Sequence, residues 1–167
     1  MTLEGLLMNA RTLQAGMQGS LIREALVPYE EDIVEQQRIQ LLEGKNSDGE
    51  DMHPFYSEDV KPNGYFRTKE SAARYREWKQ TITYPYSVKR NPDAPNLYIT
   101  GVFHDDLGVE LTNENVRIVP DTAYAANIMS KYGMGAFGLS MMKWAVVFWE
   151  KGAKDYLIEK MRQTLWQ

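Results

Sequence analysis

The sequence predicts an α+β fold in which helices flank a small antiparallel sheet. Three observations predict it. Apolar residues recur at three- and four-residue steps near both ends of the chain, β-branched and aromatic runs lie between residues 81 and 119, and a turn-rich stretch separates the two regimes. Length agrees with a single domain over 1–167: such a chain can bury roughly 70% of its unfolded surface, enough for a core without covalent staples.

Residues 1–28 read as an N-terminal helix. Leu3, Leu6, Leu7, Ala10, Leu13, Met17, Leu21 and Ala25 share one face, Gly16 and Gly19 weaken it by about 1 kcal/mol each relative to alanine, and Pro28 breaks it. Residues 29–90 read as a helix followed by a long loop. The helix runs from Tyr29 to about Leu42, with Glu30, Glu31 and Asp32 in its first turn, where the helix dipole favours negative charge. Gly44 stops it, and the ordered loop around 45–67 turns at Ser47-Asp48-Gly49 and Pro62-Asn63-Gly64. Long ordered loops in small domains usually carry function or a partner. Thr68 can cap a short helix to about Gln80 with Ala72, Tyr75 and Trp78 along one side.

Residues 91–167 supply the sheet and the C-terminal helices. Thr81–Val88 has strand composition, confined to an edge by Pro85. Leu97–Phe103, Leu107–Thr112 and Val116–Val119 carry the remaining strand signal, with a hairpin turn at 112–115. Asp121 can cap a helix through Tyr132 that aligns Tyr124, Ile128 and Tyr132, and Gly133 ends it. A last helix from about Ser140 to the end has Met142, Val146, Trp149, Ala153, Tyr156 and Leu157 as its inward stripe.

Composition excludes several function classes. With no cysteine there is no disulfide framework, thiolate metal site or cysteine nucleophile, which fits a reducing cytosol. His53 and His104 are the only histidines, too few for a His-rich metal site. The N-terminus lacks the basic, then apolar, pattern of a signal peptide. The most apolar run, Leu139–Trp149, contains Lys143 and falls short of the ~20 residues that span a bilayer, so it reads as a core helix and no membrane is expected.

Charge is arranged in blocks. Residues 29–60 carry ten acids against Arg38 and Lys45, whereas 61–90 carry eight bases against Glu70 and Glu77. The overall net of −4 argues against wholesale coating of nucleic acid. Within 61–90, Arg67, Lys69, Arg74, Arg76, Lys79, Lys89 and Arg90 alternate with Tyr65, Phe66, Tyr75, Trp78, Tyr84 and Tyr86. Cations neutralise phosphates and aromatic faces stack on bases, so the segment suits nucleic acid. It suits equally a head-to-tail contact between copies, because the preceding block is as strongly acidic. A merely solvated face is the plain alternative.

Other motifs read as structure. Gly133-Met134-Gly135-Ala136-Phe137-Gly138 has the spacing of a dinucleotide fingerprint, but it follows a helical pattern where a strand is required, so it reads as a helix-to-helix turn. Asn46–Asp51 resembles a calcium loop, yet placing Gly49 at its sixth position puts Gly44 and Phe55 where acids are needed. His104-Asp105-Asp106 offers a base and two acids, but on an extended chain adjacent side chains diverge. Ser140 lies outside any G-x-S-x-G elbow. No catalytic residue, cofactor site or metal site is assigned, and the chain is expected not to be an enzyme.

Four runs stand in a suggestive order: Gln40-Leu41-Leu42-Glu43-Gly44 through Gly49, Pro54-Phe55-Tyr56-Ser57, Tyr75 through Lys79, and Leu97-Tyr98-Ile99-Thr100-Gly101. Tyr124-Ala125, Tyr132-Gly133 and Phe137-Gly138-Leu139-Ser140 follow. Together, over roughly residues 36–165, they resemble the small neck and tail-completion proteins of tailed bacteriophages. The resemblance implies a virion structural subunit in a homo-oligomeric ring at the head–tail connector, assembled in host cytoplasm against portal, adaptor or tail proteins. DNA would pass through its channel without sequence-specific binding. The loop 50–69 and the acidic segment before it depart from the family's pattern. Tyr and Trp are favoured interface anchors and Arg a frequent partner, which makes Tyr65, Phe66, Arg67, Arg74, Arg76, Trp78, Lys79, Tyr84 and Tyr86 the candidate contact residues. The alternative reading is a nucleic-acid-binding accessory protein using the same 61–90 segment.

Overall fold

The structure is a computed structural model that describes residues 3–17, 20–113 and 115–165. It is α+β: helices surround one two-stranded antiparallel sheet. At one end, α1 (Leu3–Met17) and α2 (Ser20–Leu26) pack on the last helix, α8 (Ala153–Leu165). Asn9 Nδ2 donates to Leu165 O at 3.1 Å, joining the two extremes of the described chain. The expected break at Pro28 takes the form of a single 3-10 turn, Val27–Tyr29.

The central element is α3 (Glu30–Leu42), which packs on the sheet, on α7 (Met141–Ala145) and on the turn after it. Ile33, Val34 and Leu41 enter the main core with Leu26, Met52, Leu107, Ile118, Leu139 and Val147. Its end is a Schellman motif: Lys45 N donates to Gln40 O at 3.0 Å and Gly44 N to Leu41 O at 2.9 Å. Gly44 adopts φ +75, and a Cβ there would lie 2.9 Å from Ala94 Cβ, so both conformation and space demand glycine.

Two buried glutamines on α3 do the work of a missing strand. Gln37 donates to Ala136 O (3.2 Å) and accepts from Gly138 N (2.9 Å); Gln40 donates to Gly138 O (2.7 Å) and accepts from Ser140 N (2.8 Å). Each amide presents one donor and one acceptor, so alternate residues of the 136–140 segment are satisfied without a ladder. The glycine-rich segment is therefore a helix-to-helix connection between α6 (Ala125–Tyr132) and α7, as expected.

The 45–67 loop is ordered by its own polar atoms. Asn46 Oδ1 accepts from Asp48 N and Glu50 N, Lys45 pairs with Asp51 at 2.7 Å, and buried Asp59 accepts from Tyr65 N while pairing with Lys131. Tyr56, Phe66 and Ala72 form a second, smaller core beneath it. Thr68 caps α4 (Lys69–Gln80) through a reciprocal bond with Ser71.

The hairpin is β1 (Leu107–Leu111) and β2 (Val116–Pro120), with Leu107 opposite Pro120 and Leu111 opposite Val116. Two other expected strands do not form. Residues 81–90 do alternate, with Ile82, Tyr84, Tyr86, Val88 and Arg90 turned inward and their neighbours exposed, but they pair with no strand among the described residues. Alternation needs only a surface on one side; a ladder needs a second backbone, and Pro85 has no N–H to offer. Across 97–103 the chain is kinked by positive φ at Leu97 and Gly101, and Val102–Asp105 forms the short helix α5. Two helix expectations also change. Asp121 is not a cap: its N–H donates to Asp106 O, and α6 begins after a turn held by Tyr124 N and Thr122 Oγ1. The last helix is not continuous, because a π turn at Val146–Glu150 and Gly152 at φ +91 separate α7 from α8.

Candidate functional site

The nine candidate contact residues do not form one patch. Arg67 and Arg74 are exposed. Tyr65 is 74% exposed, with Lys131 Nζ 5.5 Å from its ring centroid, and Trp78 is exposed against Tyr75. The others are spent on the fold. Phe66 is buried in the second core, Arg76 pairs with Asp93 at 3.7 Å, and Tyr84 Oη donates to Lys79 O at 2.6 Å. Tyr86 points toward α3, its hydroxyl 3.5 Å from Glu35 Oε1. Lys79 is the sharpest correction: at 1% exposed it contributes nothing to a basic face, and its ammonium donates to Tyr98 O. Within 61–90, the cations left exposed without an ion pair to the described residues are Lys61, Arg67, Lys69, Arg74 and Lys89, with Glu70 near Lys69 and Arg74.

The acidic block builds a groove. The first turn of α3, Arg38, Tyr86 and residues 107–109 of β1 enclose about 620 Å³. Asp32 and Glu35 are both held by Lys151, at 2.8 and 3.3 Å, and these hydrogen bonds push the Lys151 amine above its ordinary value. Glu30 and Glu31 line the same groove and close no ion pair among the described residues. Arg38, in the same lining, donates to the His104 and Asp105 carbonyls at 2.7 and 3.1 Å.

A third surface was missed by sequence reasoning. Met141 and Trp149, 88% and 65% exposed, line a shallow hollow of about 280 Å³ that Trp144, Ala145 and Phe148 complete, and Met142 beside Met141 is 81% exposed. Lys154 Nζ sits 3.9 Å from the Trp149 ring centroid. The signal was present: a run apolar on nearly every side from 139 to 149 cannot point wholly inward from a helix at the protein's edge. Met142 and Trp149 therefore leave the inward stripe assigned to them, while Val147 and Ala153 enter the core.

Buried polar groups gather behind α4. His104, expected beside Asp105 on an extended chain, lies on α5 with its ring inside and Nε2 3.1 Å from Asn96 O. Burial lowers its pKa to about 4, so the ring is neutral at pH 7 and Nε2 is the donor. Neither ring nitrogen meets a carboxylate. Lys79 is lowered to about 7, by burial first and by the neighbouring Arg90 second. Among the described residues no group of three or more His, Asp or Glu side chains is placed to hold a metal ion. None of their helices is long and apolar enough to cross a membrane.

Comparison with known proteins finds no match: no family, no curated protein and no solved structure. What can be argued about function rests on these surfaces and on the order of the sequence motifs.

Proposed function

We propose that the chain is a structural subunit of a phage virion, one copy in a closed ring at the head–tail connector or tail-completion level. The observation that carries the reading is the sorting of charge. Glu30 and Glu31 line a groove without closing an ion pair to the described residues, while Lys61, Arg67, Lys69, Arg74 and Lys89 of the basic block stand exposed without one. Opposite patches on one chain make a heterologous contact, which closes into a ring when its rotation allows. Such charges set register and speed encounter more than they add affinity. The motif order along residues 36–165 supports the same reading. Portal, adaptor or tail proteins are then the vertical neighbours, and the virion and the host cytoplasm are its locations.

Negative-stain imaging and native mass spectrometry of the purified chain test it, with rings having a central hole as the expected result. Glu30→Lys with Glu31→Lys should break the rings, and Arg67→Glu with Arg74→Glu in the same chain should restore them. A monomer at all concentrations, absent from particles, refutes the reading. The nucleic-acid alternative retains one favourable observation, the exposed Tyr65 and Trp78 on the segment that carries Arg67 and Arg74. It predicts DNA retention that falls steeply with salt and disappears in the Arg67, Arg74 variant.

A further inference from the structure

A cavity of about 230 Å³ opens beside the last turn of α4. Its walls come from separate parts of the chain: Tyr75 and Lys79 of α4, Tyr56 of the long loop, Tyr98 and Phe103 around α5, and Tyr132 of α6. A second hollow of about 270 Å³ shares Tyr56, Tyr75 and Tyr132 with it. The rings meet edge to face, Tyr56 against Tyr75 with centroids 5.2 Å apart and planes at 77°. No carboxylate lines the first cavity among the described residues.

One end of this aromatic box carries the Lys79 amine, which meets no acid among the described residues. Lys79 Nζ has a single acceptor, Tyr98 O, for three donor positions. Arg90 lies close enough to repel it, stacks on Tyr84 at 5.4 Å, and keeps Nη1 buried without a hydrogen-bond partner. Buried cations are ordinarily paired with acids. Among the described residues neither Lys79 nor Arg90 closes an ion pair.

We propose that this cavity binds a small planar aromatic anion, an aryl carboxylate, with its ring among the tyrosines and its carboxylate on Lys79 Nζ. The volume lies below the ~300–1,000 Å³ of pockets for drug-sized ligands, so the occupant is a single ring. Aromatic walls receive such a ring edge to face. An anion gains a charge-assisted hydrogen bond from Lys79, whereas a cationic ligand is repelled by it. Binding also restores the Lys79 ammonium that burial and Arg90 disfavour, and so takes up a proton near neutral pH. The groups around Lys79 are Tyr75 of α4, Tyr56 of the long loop, Tyr84 and Arg90 from 81–90, Tyr98, His104 of α5, Tyr124 just before α6 and Tyr132 of α6 across the cavity. None of them is an acid that could supply this proton change. The site stands independently of the ring reading.

The experiment is an NMR titration of the isotopically labelled full chain with benzoate, benzamide and benzylamine. Benzoate should shift resonances of Tyr56, Tyr75, Tyr98 and Tyr132 and bind at least about tenfold more tightly than benzamide, while benzylamine produces no saturable shift. Calorimetry in buffers of different ionisation enthalpy should show proton uptake with benzoate only. Lys79→Met should erase the preference for benzoate over benzamide, and Ile128→Trp, which fills the cavity from α6, should abolish both. Three results overturn the proposal: no benzoate shift in the wild-type chain up to ~10 mM, a range that reveals even weak single-ring fragments; equal binding of benzoate and benzylamine; or an undiminished benzoate preference in Lys79→Met.

Discussion

Replacing Lys79 with methionine should stabilise the protein at neutral pH, against the usual expectation for a residue this buried. The side chain is 1% exposed, and its amine falls from an ordinary 10.5 to about 7. Each pKa unit is worth about 1.4 kcal/mol, so the folded chain forgoes roughly 5 kcal/mol that the unfolded chain retains as a solvated ammonium. A depressed folded-state pKa fixes the sign. The Lys79 contribution to stability is fully present above pH ~10.5 and is lost as pH falls toward 7, with a slope of up to about 1.4 kcal/mol per pH unit between. Methionine fills nearly the same space without charge but leaves Tyr98 O unpaired, at a cost of about 1–3 kcal/mol. The net is a gain of about 2–4 kcal/mol at pH 7, within the range found when buried charges give way to apolar side chains. Urea denaturation at constant ionic strength between about pH 7 and 9 reads both effects: a rising wild-type curve and a flat, higher variant curve. Above about pH 10 both should decline, because burial holds the Tyr56 and Tyr132 hydroxyls above their ordinary range while the unfolded tyrosines ionise. A flat wild-type curve with a less stable variant would show that Lys79 is satisfied as a cation, and the reasoning would fail.

Two further substitutions test the fold around the surfaces. Gly44→Ala should cost at least about 1–2 kcal/mol, since the position combines a positive φ with a 2.9 Å approach to Ala94 Cβ; an unchanged denaturation midpoint would contradict it. Gln40→Leu orphans the Gly138 carbonyl and the Ser140 amide together and should cost about 2–5 kcal/mol, while Gln40→Glu sets a buried carboxylate oxygen against the Gly138 carbonyl and should destabilise increasingly as pH rises above the carboxylate range. A loss below ~0.5 kcal/mol for the leucine variant would mean water replaces the glutamine without penalty.

Much of the fold was legible because it is governed locally. The acids at 30–32, the glycine at 44 and the Thr68-Ser71 cap are stop and start signals whose chemistry is complete within a few residues, and the hairpin at 107–120 needs only its own two strands. The failures share a different cause. The 81–90 segment has the alternation of a strand but pairs with no strand among the described residues, and pairing is decided by the rest of the chain. Gly152 was an available stop signal inside an otherwise convincing helical period, and the apolar stripe drawn across it fails at that residue. The candidate surface was half legible for the same reason. Arg67 and Arg74 remain exposed as any local reading expects, whereas Lys79, two positions from Glu77 on the same helix, is turned inward by the distant Tyr98 carbonyl. Gln37 and Gln40 likewise occupy core positions of the right period, and only the strandless segment 136–140 explains why they are amides.

If the chain assembles, charge and apolar surface must divide the labour. Exposed ion pairs are worth about 0–1 kcal/mol each and are screened beyond ~10 Å at moderate salt, so Glu30 and Glu31 against the exposed cations of 61–90 can align copies but cannot by themselves hold a ring. The apolar ridge of Met141, Met142 and Trp149 is the surface able to supply the remainder, since burying a side chain of this size contributes about 1.5–3 kcal/mol. The two contributions separate in a salt titration. Rings that form slowly but persist in high salt place the affinity in the ridge, and a Met141→Lys, Met142→Lys pair should then prevent assembly with the folded monomer intact. Rings that dissolve as salt rises place it in the charges, and the same pair of substitutions should leave them unchanged at low ionic strength.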